Sequence, residues 1–243
     1  MSNIKTFKVF RFDPEKDKKP RFETYKVEWK SGQTVLDGLN YIRDNIDGSL
    51  AYRSSCREGV CGSCAMHING KYCLACEQQL KELSDTITIR PLANLEVIKD
   101  LFVDMAPFWK KYKAIKPYLI GKESSTGKER IQSQDERAHL DKVIDCVLCA
   151  SCYAACGMNA IDPEYLGPAA LSKVNRFFLD SRDSAKEERL AMVANDHGVF
   201  RCHTMFNCQI VCPKEVDPTA NISNLKRNII ASQMSGKLSK KGV

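Results

Sequence analysis

The chemistry of this chain is concentrated in its cysteines. Twelve occur in 243 residues. They fall into three groups: Cys56, Cys61, Cys64, Cys73 and Cys76; then Cys146, Cys149, Cys152 and Cys156; then Cys202, Cys208 and Cys212. Thiolates are soft ligands suited to iron–sulfur clusters and zinc. The spacing within each group decides which.

The first group opens as Cys56-x4-Cys61-x2-Cys64 with later cysteines following, the head of the plant-type ferredoxin spacing. Two irons bridged by two sulfides need four thiolates. One tight loop delivers three, and a separate strand delivers the fourth, either Cys73 or Cys76. Gly59 and Gly62 let the loop backbone come close and aim N–H groups at the sulfurs, which favours the reduced cluster. Arg53 and Arg57 add positive potential. The competing reading is a zinc knuckle, but zinc favours paired hooks, not a four-residue gap followed by a two-residue gap.

Cys146-x2-Cys149-x2-Cys152-x3-Cys156 is the bacterial ferredoxin run, with Gly157 in place of the usual proline. Cys202-x2-Met205-x2-Cys208-x3-Cys212-Pro213 repeats it with methionine in the second cysteine position. In two-cluster proteins the fourth cysteine of each run ligates the other cluster. Crossing the runs gives Cys146, Cys149, Cys152 and Cys212 to a [4Fe–4S] cluster. Cys156, Cys202 and Cys208 remain, and three thiolates predict a [3Fe–4S] cluster. The alternative is a [4Fe–4S] cluster with water or the Met205 thioether at the fourth corner. None of these centres is a base, nucleophile or hydride acceptor, and no phosphate-binding glycine loop is present. No catalytic residue is therefore assigned, and the chain reads as an electron wire between partners.

The elements that position these residues follow from periodicity. Phe7, Val9, Phe10 and Phe12 suggest one strand, and alternating Tyr25, Val27 and Trp29 suggest its partner. Thr34 caps a helix with Leu36, Leu39, Ile42 and Ile46 on its apolar side. Asn69-Gly70 is a two-residue hairpin signal, and Thr86 to Arg90 is a last strand stopped by Pro91. A small sheet crossed by one helix fits this order. Val97, Ile98, Leu101, Phe102, Met105, Phe108, Trp109 and Tyr112 then recur at helical steps. Gly121 to Ser133 reads as a loop, and Pro168 to Leu179 and Ala185 to Asn195 as helices of a second domain.

Composition sets the outer bounds. With 43% apolar and 28% charged residues, a mostly disordered or collagen-like chain is excluded. The length suits one large or two modest domains. The net charge of +7 comes from interspersed signs, so charge does not point to nucleic acid. No apolar run approaches a membrane span of about 18 residues. Met1 to Phe12 lacks a signal-peptide core, so the chain is expected to stay in the cytoplasm, where a disulfide framework does not persist.

Taken together, Ser55-Cys56-Arg57-Glu58-Gly59-Val60-Cys61-Gly62-Ser63-Cys64, Leu74-Ala75-Cys76, Cys146-Val147-Leu148-Cys149, Gly167-Pro168-Ala169-Ala170, Asp180-Ser181-Arg182-Asp183 and Arg201-Cys202-His203 closely resemble the iron–sulfur subunits of succinate dehydrogenase and fumarate reductase. The resemblance covers nearly the whole chain. It implies an α+β protein, with a β-grasp plant-type ferredoxin domain over 1–105 and an all-α bacterial-ferredoxin-type domain over 106–243. It also implies Cys76 as the fourth [2Fe–2S] ligand, through the Leu-Ala-Cys signature. Some members carry aspartate at the Cys64 position.

As partners the resemblance implies a flavoprotein subunit with FAD, where succinate and fumarate interconvert, and a membrane anchor with or without haem. A quinone would lie near the [3Fe–4S] end, beside His203, Lys226 and Ile161. The expected location is peripheral, on the cytoplasmic side of the cell membrane or the matrix side of an inner membrane. The expected activity is that of a succinate:quinone oxidoreductase subunit; the alternative is a quinol:fumarate reductase subunit. Many ubiquinone-reducing members have proline and tryptophan where this chain has Gly157 and Ile161. Two other classes compete with this reading: a subunit feeding a thiol- or disulfide-linked reductase, and a zinc-stapled interaction module. The stretch from Lys226 to Val243 is basic, with no acidic residue, and suits an anionic leaflet or a solvated tail.

Overall fold

A computed structural model describes residues 3–121, 127 and 129–238. In chain order its first elements are β1 (Ile4–Arg11), β2 (Arg21–Glu28), α1 (Val35–Asn45), β3 (Ala65–Ile68), β4 (Lys71–Leu74), β5 (Thr86–Arg90), β6 (Val97–Lys99) and β7 (Phe102–Val103). Helices α2 (Ala106–Ala114), α3 (Gln134–Ala138), α4 (Ser151–Ala154), α5 (Gly157–Ile161), α6 (Pro168–Leu179), α7 (Lys186–Val193), α8 (Asn207–Ile210) and α9 (Pro218–Met234) follow. Two compact units result: Met1–Met105 with Val147–Ala155, and Ala106–Cys146 with Cys156–Val243.

The first unit is a β-grasp. Its sheet order is β2-β1-β5-β3-β4, with β1 and β5 parallel and the other pairs antiparallel. Alternation along β1 buries Phe7 and Val9, which join Leu36, Leu39 and Ile42 of α1 and Ile87 and Ile89 of β5 in the core. Each such side chain contributes roughly 1.5–3 kcal/mol through burial. Thr34 caps α1 in a reciprocal capping box with Asp37.

The helical period over Val97–Tyr112 is corrected. Residues 97–103 form the β6–β7 hairpin, and α2 begins only at Ala106. A buried ion cluster wins over the apolar period. Asp100 sits in a left-handed turn (φ 51°). Its carboxylate accepts from Arg11 Nε at 3.0 Å and from the N–H groups of Phe12 and Ala51, each at 3.0 Å. Arg11 is buried and also binds Glu23 at 2.9 Å, Ser49 at 2.7 Å and Asp47. The segment leading into the Cys56 loop is thereby pinned to β1.

The second unit is helical. Its core joins Ile115, Tyr165, Leu171, Val174, Val193, Val199, Leu225 and Ile229. Pro168 opens α6, where a missing N–H costs nothing. Asn175 of α6 donates to Asn221 of α9 at 2.7 Å and accepts from Asn224 at 2.8 Å, a polar rung across the two helices. Asp183 and Arg189 form a fully buried pair with Nη2–Oδ2 at 2.6 Å. Arg189 also donates to the carbonyls of Lys116 and Tyr118, fixing the chain after α2. Asp180 is likewise buried, gripped by both forks of Arg182 at 2.8 Å. Part of the expected Gly121–Ser133 loop (122–126 and 128) and the last five residues of the basic tail (239–243) lie outside the described residues. Among the described residues, no helix is long and apolar enough to cross a membrane.

Candidate iron–sulfur centres

The Cys56–Cys64 loop precedes β3, and Cys76 follows β4 by two residues, so the β3–β4 hairpin brings the fourth thiol back beside the loop. Three left-handed residues, Arg57, Gly59 and Gly62, coil the loop inward. Backbone N–H groups then point at sulfur. Val60 and Cys61 donate to Cys56 Sγ, each at 3.3 Å, and Gly59 donates to Cys76 Sγ at 3.2 Å. Cys56 N–H and Ser63 N–H reach Cys61 Sγ at 3.4 and 3.5 Å. Such a fan stabilises thiolate and cluster charge. Against burial, bonds from Ser63 and Cys56 pull the Cys61 thiol down to about 6. Burial pushes Cys64 up to about 12. Burial likewise pushes the Cys73 thiol up, to about 11, and among the described hydrogen bonds its sulfur meets only the Lys71 carbonyl, at 4.0 Å. Arg53 is stacked over Phe102 at 5.6 Å, while Arg57 is exposed.

The segment Val147–Ala155, carrying Cys149 and Cys152, belongs to this unit and packs on the loop. A methyl group at Gly62 would lie 2.6 Å from the Val147 carbonyl oxygen and 3.0 Å from Cys149 Cα. Asn94 holds the same segment by donating to the Ala154 carbonyl at 3.0 Å.

The two ferredoxin-type runs share one local conformation. Short 3-10 turns at Val143–Asp145 and Val199–Arg201 precede Cys146 and Cys202. Leu148 and Ala150 are left-handed, as are Thr204 and Phe206 at the same offsets. A four-residue helix follows each time, α4 and α8. Cys152 and Cys208 lie on these helices, and Cys156 and Cys212 follow them. Cys149 and Met205 occupy equivalent places.

Within the second unit, Cys156, Cys202 and Cys208 line one cavity with Tyr165, His203 and Met205. Cys208 shares a hydrogen bond with Thr219 Oγ1 at 3.4 Å, and burial pushes its thiol up to about 11. Tyr165 is fully buried, and among the described residues its hydroxyl has no nitrogen or oxygen partner. Leaving such a group unpaired costs about 1–3 kcal/mol. Burial and the nearby charges of Cys202, Cys156 and Cys208 hold the phenol well above its usual range, so it remains a donor. An all-sulfur donor set with an unused O–H facing it fits a sulfur-rich cluster. Cys212 Sγ accepts from Val216 N–H at 3.3 Å, and Lys173 donates to the Cys146 carbonyl at 3.3 Å. Among the described residues, no three His, Cys, Asp or Glu side chains are drawn together around a single-ion position.

The three residues expected near quinone have separate settings. His203 is exposed on the cavity wall. Lys226, on α9, donates to the Cys202 carbonyl at 2.8 Å, and Ile161 is exposed at the end of α5. Tyr165 and Thr219 were not singled out from sequence. A lone tyrosine or threonine between helices carries no spacing signal, and only the fold brings each to a cysteine.

Comparison with known proteins agrees with this geometry. A family model described as a 2Fe-2S iron-sulfur cluster binding domain matches residues 6–110. One described as a 4Fe-4S dicluster domain matches residues 142–216. The chain is 42% identical over 234 residues to the succinate dehydrogenase iron-sulfur subunit of Coxiella burnetii, covering 95% of this chain and 99% of that one. It is 44% identical over 231 residues to the mitochondrial succinate dehydrogenase [ubiquinone] iron-sulfur subunit 1 of Oryza sativa subsp. japonica, covering 93% and 82%. A chain of the Mycobacterium smegmatis Sdh1 complex in the apo form has the same fold, with TM-score 0.87 and 24% identity over 96% of this chain and 98% of that one. With two cluster-binding domains matched and a relative 42% identical over 95% of its length, the chain belongs to the family of succinate dehydrogenase iron–sulfur subunits.

Proposed function

We propose that the chain relays single electrons from the FAD of a flavoprotein subunit to a quinone at a membrane anchor, in the direction of succinate oxidation. Dicarboxylate chemistry then belongs to the partner. When bound, a [2Fe–2S], a [4Fe–4S] and a [3Fe–4S] cluster supply one-electron steps. Cys56, Cys61, Cys64 and Cys76 hold the first; Cys146, Cys149, Cys152 and Cys212 the second; Cys156, Cys202 and Cys208 the third.

The observation that carries this reading is the contact of the Cys56–Cys64 loop with Val147 and Cys149. Two cysteine loops from distant parts of the chain are packed backbone to backbone at Gly62. Such packing leaves no room for a side chain between the two loops at Gly62. The N–H fan onto Cys56, Cys61 and Cys76 supports the first ligand set, and Cys73 makes no comparable bond to the loop among the described hydrogen bonds. The shared conformation of the two runs supports Met205 as a displaced ligand position. Exposed Met205 and Phe206 on the three-cysteine cavity, with exposed Ile161 and Ile210 at the ends of α5 and α8, suit an apolar anchor at the membrane surface. The protein would then sit peripherally, on the cytoplasmic or matrix side. Lys226 clamps the Cys202 backbone, and the exposed His203 next to it can offer an imidazole hydrogen bond to a quinone.

The test uses the assembled complex. His203→Ala should spare succinate oxidation measured with an acceptor that takes electrons at the flavin. Quinone reduction should fall about ten-fold or more, as expected for loss of a positioned proton donor. Equal loss of both activities, or loss of neither, would overturn the role of this end of the chain.

A further inference from the structure

Tyr165 carries a buried hydroxyl group set against sulfur. The residue is fully buried and lines the cavity shared by Cys156, Cys202 and Cys208. Among the described residues its hydroxyl has no nitrogen or oxygen partner, and the group set against it is the Cys202 sulfur. Its backbone is fixed on both sides. Tyr165 N–H donates to the Asp162 carboxylate at 3.2 Å, and the neighbouring Leu166 N–H donates to the His197 carbonyl at 2.9 Å. Asp162 is itself held by His197 Nδ1 at 3.0 Å and Arg201 Nε at 2.9 Å. The ring therefore has little freedom to turn its hydroxyl elsewhere. Cys202 lies directly after Arg201, so the same carboxylate that fixes Tyr165 also fixes the approach to that thiol.

We propose that the Tyr165 hydroxyl donates a hydrogen bond to the sulfur shell of the three-cysteine cluster, at or beside Cys202, and sets its reduction potential. The proposal rests on the assignment of Cys156, Cys202 and Cys208 to one cluster. An O–H donor stabilises the form with more negative charge on sulfur, which is the reduced form. The proton stays on the tyrosine, and no bond forms or breaks. Tyr165 acts as a positioning and tuning group, not as a catalytic residue.

Tyr165→Phe in the assembled complex removes the donor and keeps the ring. At a fixed potential near the wild-type midpoint, the reduced-to-oxidised ratio of this cluster should fall about ten-fold, which is a downward shift of about 59 mV for one electron. Redox titration followed by electron paramagnetic resonance reads this directly. The other two clusters should keep their midpoints, and iron content should be unchanged. An intact cluster with an unmoved midpoint would overturn the proposal. Where the Phe variant loses its cluster, 3-fluorotyrosine placed at position 165 keeps the shape and strengthens the donor. The midpoint should then rise, and an unmoved value again overturns the proposal. Absence of a three-iron signal in the wild type would instead overturn the cluster assignment beneath it.

Discussion

Met205 stands in its cysteine run where Cys149 stands in the other. Both follow a left-handed residue, Thr204 or Leu148, and both precede another, Phe206 or Ala150, before a four-residue helix. The backbone conformation is the same and only the side chain differs. Met205→Cys should therefore supply a fourth thiolate without rebuilding the loop. The oxidised three-iron signal should disappear, and a reduced [4Fe–4S] signal should replace it. A folded variant with an unchanged spectrum would count against the crossed assignment.

Gly62 is constrained twice. Its φ of 71° is left-handed, and a methyl group there would meet the Val147 carbonyl at 2.6 Å. Left-handed backbone costs an L-residue about 1–2 kcal/mol, and backbone at this distance cannot move aside cheaply. Gly62→Ala should lower thermal stability and disturb the [2Fe–2S] spectrum. Wild-type melting and spectra together would show that the two loops separate easily.

Cys76 and Cys73 are close in sequence and differ in surroundings. Cys76 is buried and its Sγ accepts from Gly59 N–H at 3.2 Å, whereas Cys73 is half-buried on β4 and its sulfur lies 4.0 Å from the Lys71 carbonyl. Cys76→Ser should damage the [2Fe–2S] centre, and Cys73→Ser should leave its visible circular dichroism intact. Loss in the Cys73 variant alone would reverse the ligand assignment.

The Asp183–Arg189 pair is fully buried. Arg189→Met would strand the carboxylate and cost about 3–5 kcal/mol, read as a lower denaturation midpoint. Burial raises the Asp183 carboxyl, but Arg189 and the N–H groups of Ile120 and Ala185 outweigh it and hold it below the usual range. A depressed carboxyl contributes stability above its unfolded value of about 3.9 and loses it as pH falls through the folded value. The wild type should therefore lose this contribution on acidification, and the variant should not. Equal acid sensitivity in both would assign the loss to other groups.

Much of the β-grasp was legible because its signals are local. Alternation marked β1 and β2, Thr34 marked the start of α1, and Asn69-Gly70 marked the hairpin. The stretch over 97–103 was misread because its apolar spacing suits a helix while Asp100 is bound to Arg11, far away in sequence. Periodicity cannot register such a bond. The cysteine runs were legible because cluster chemistry fixes spacing. Their left-handed residues were not, since Leu, Ala, Thr and Phe carry no sign of that conformation. Tyr165 was invisible for another reason: its partner surface is assembled from three separated cysteines.

The placement of Val147–Ala155 with residues 1–105 has a consequence for synthesis. The N-terminal unit lacks one of its parts until the ribosome has added residues 106–155. At about 5–20 residues per second this is a delay of several seconds. Until then the loop surface around Gly62 has no Val147 or Cys149 to cover it. A nascent chain would expose its first cysteine loop to solvent during that interval, and would close it once the second run emerges.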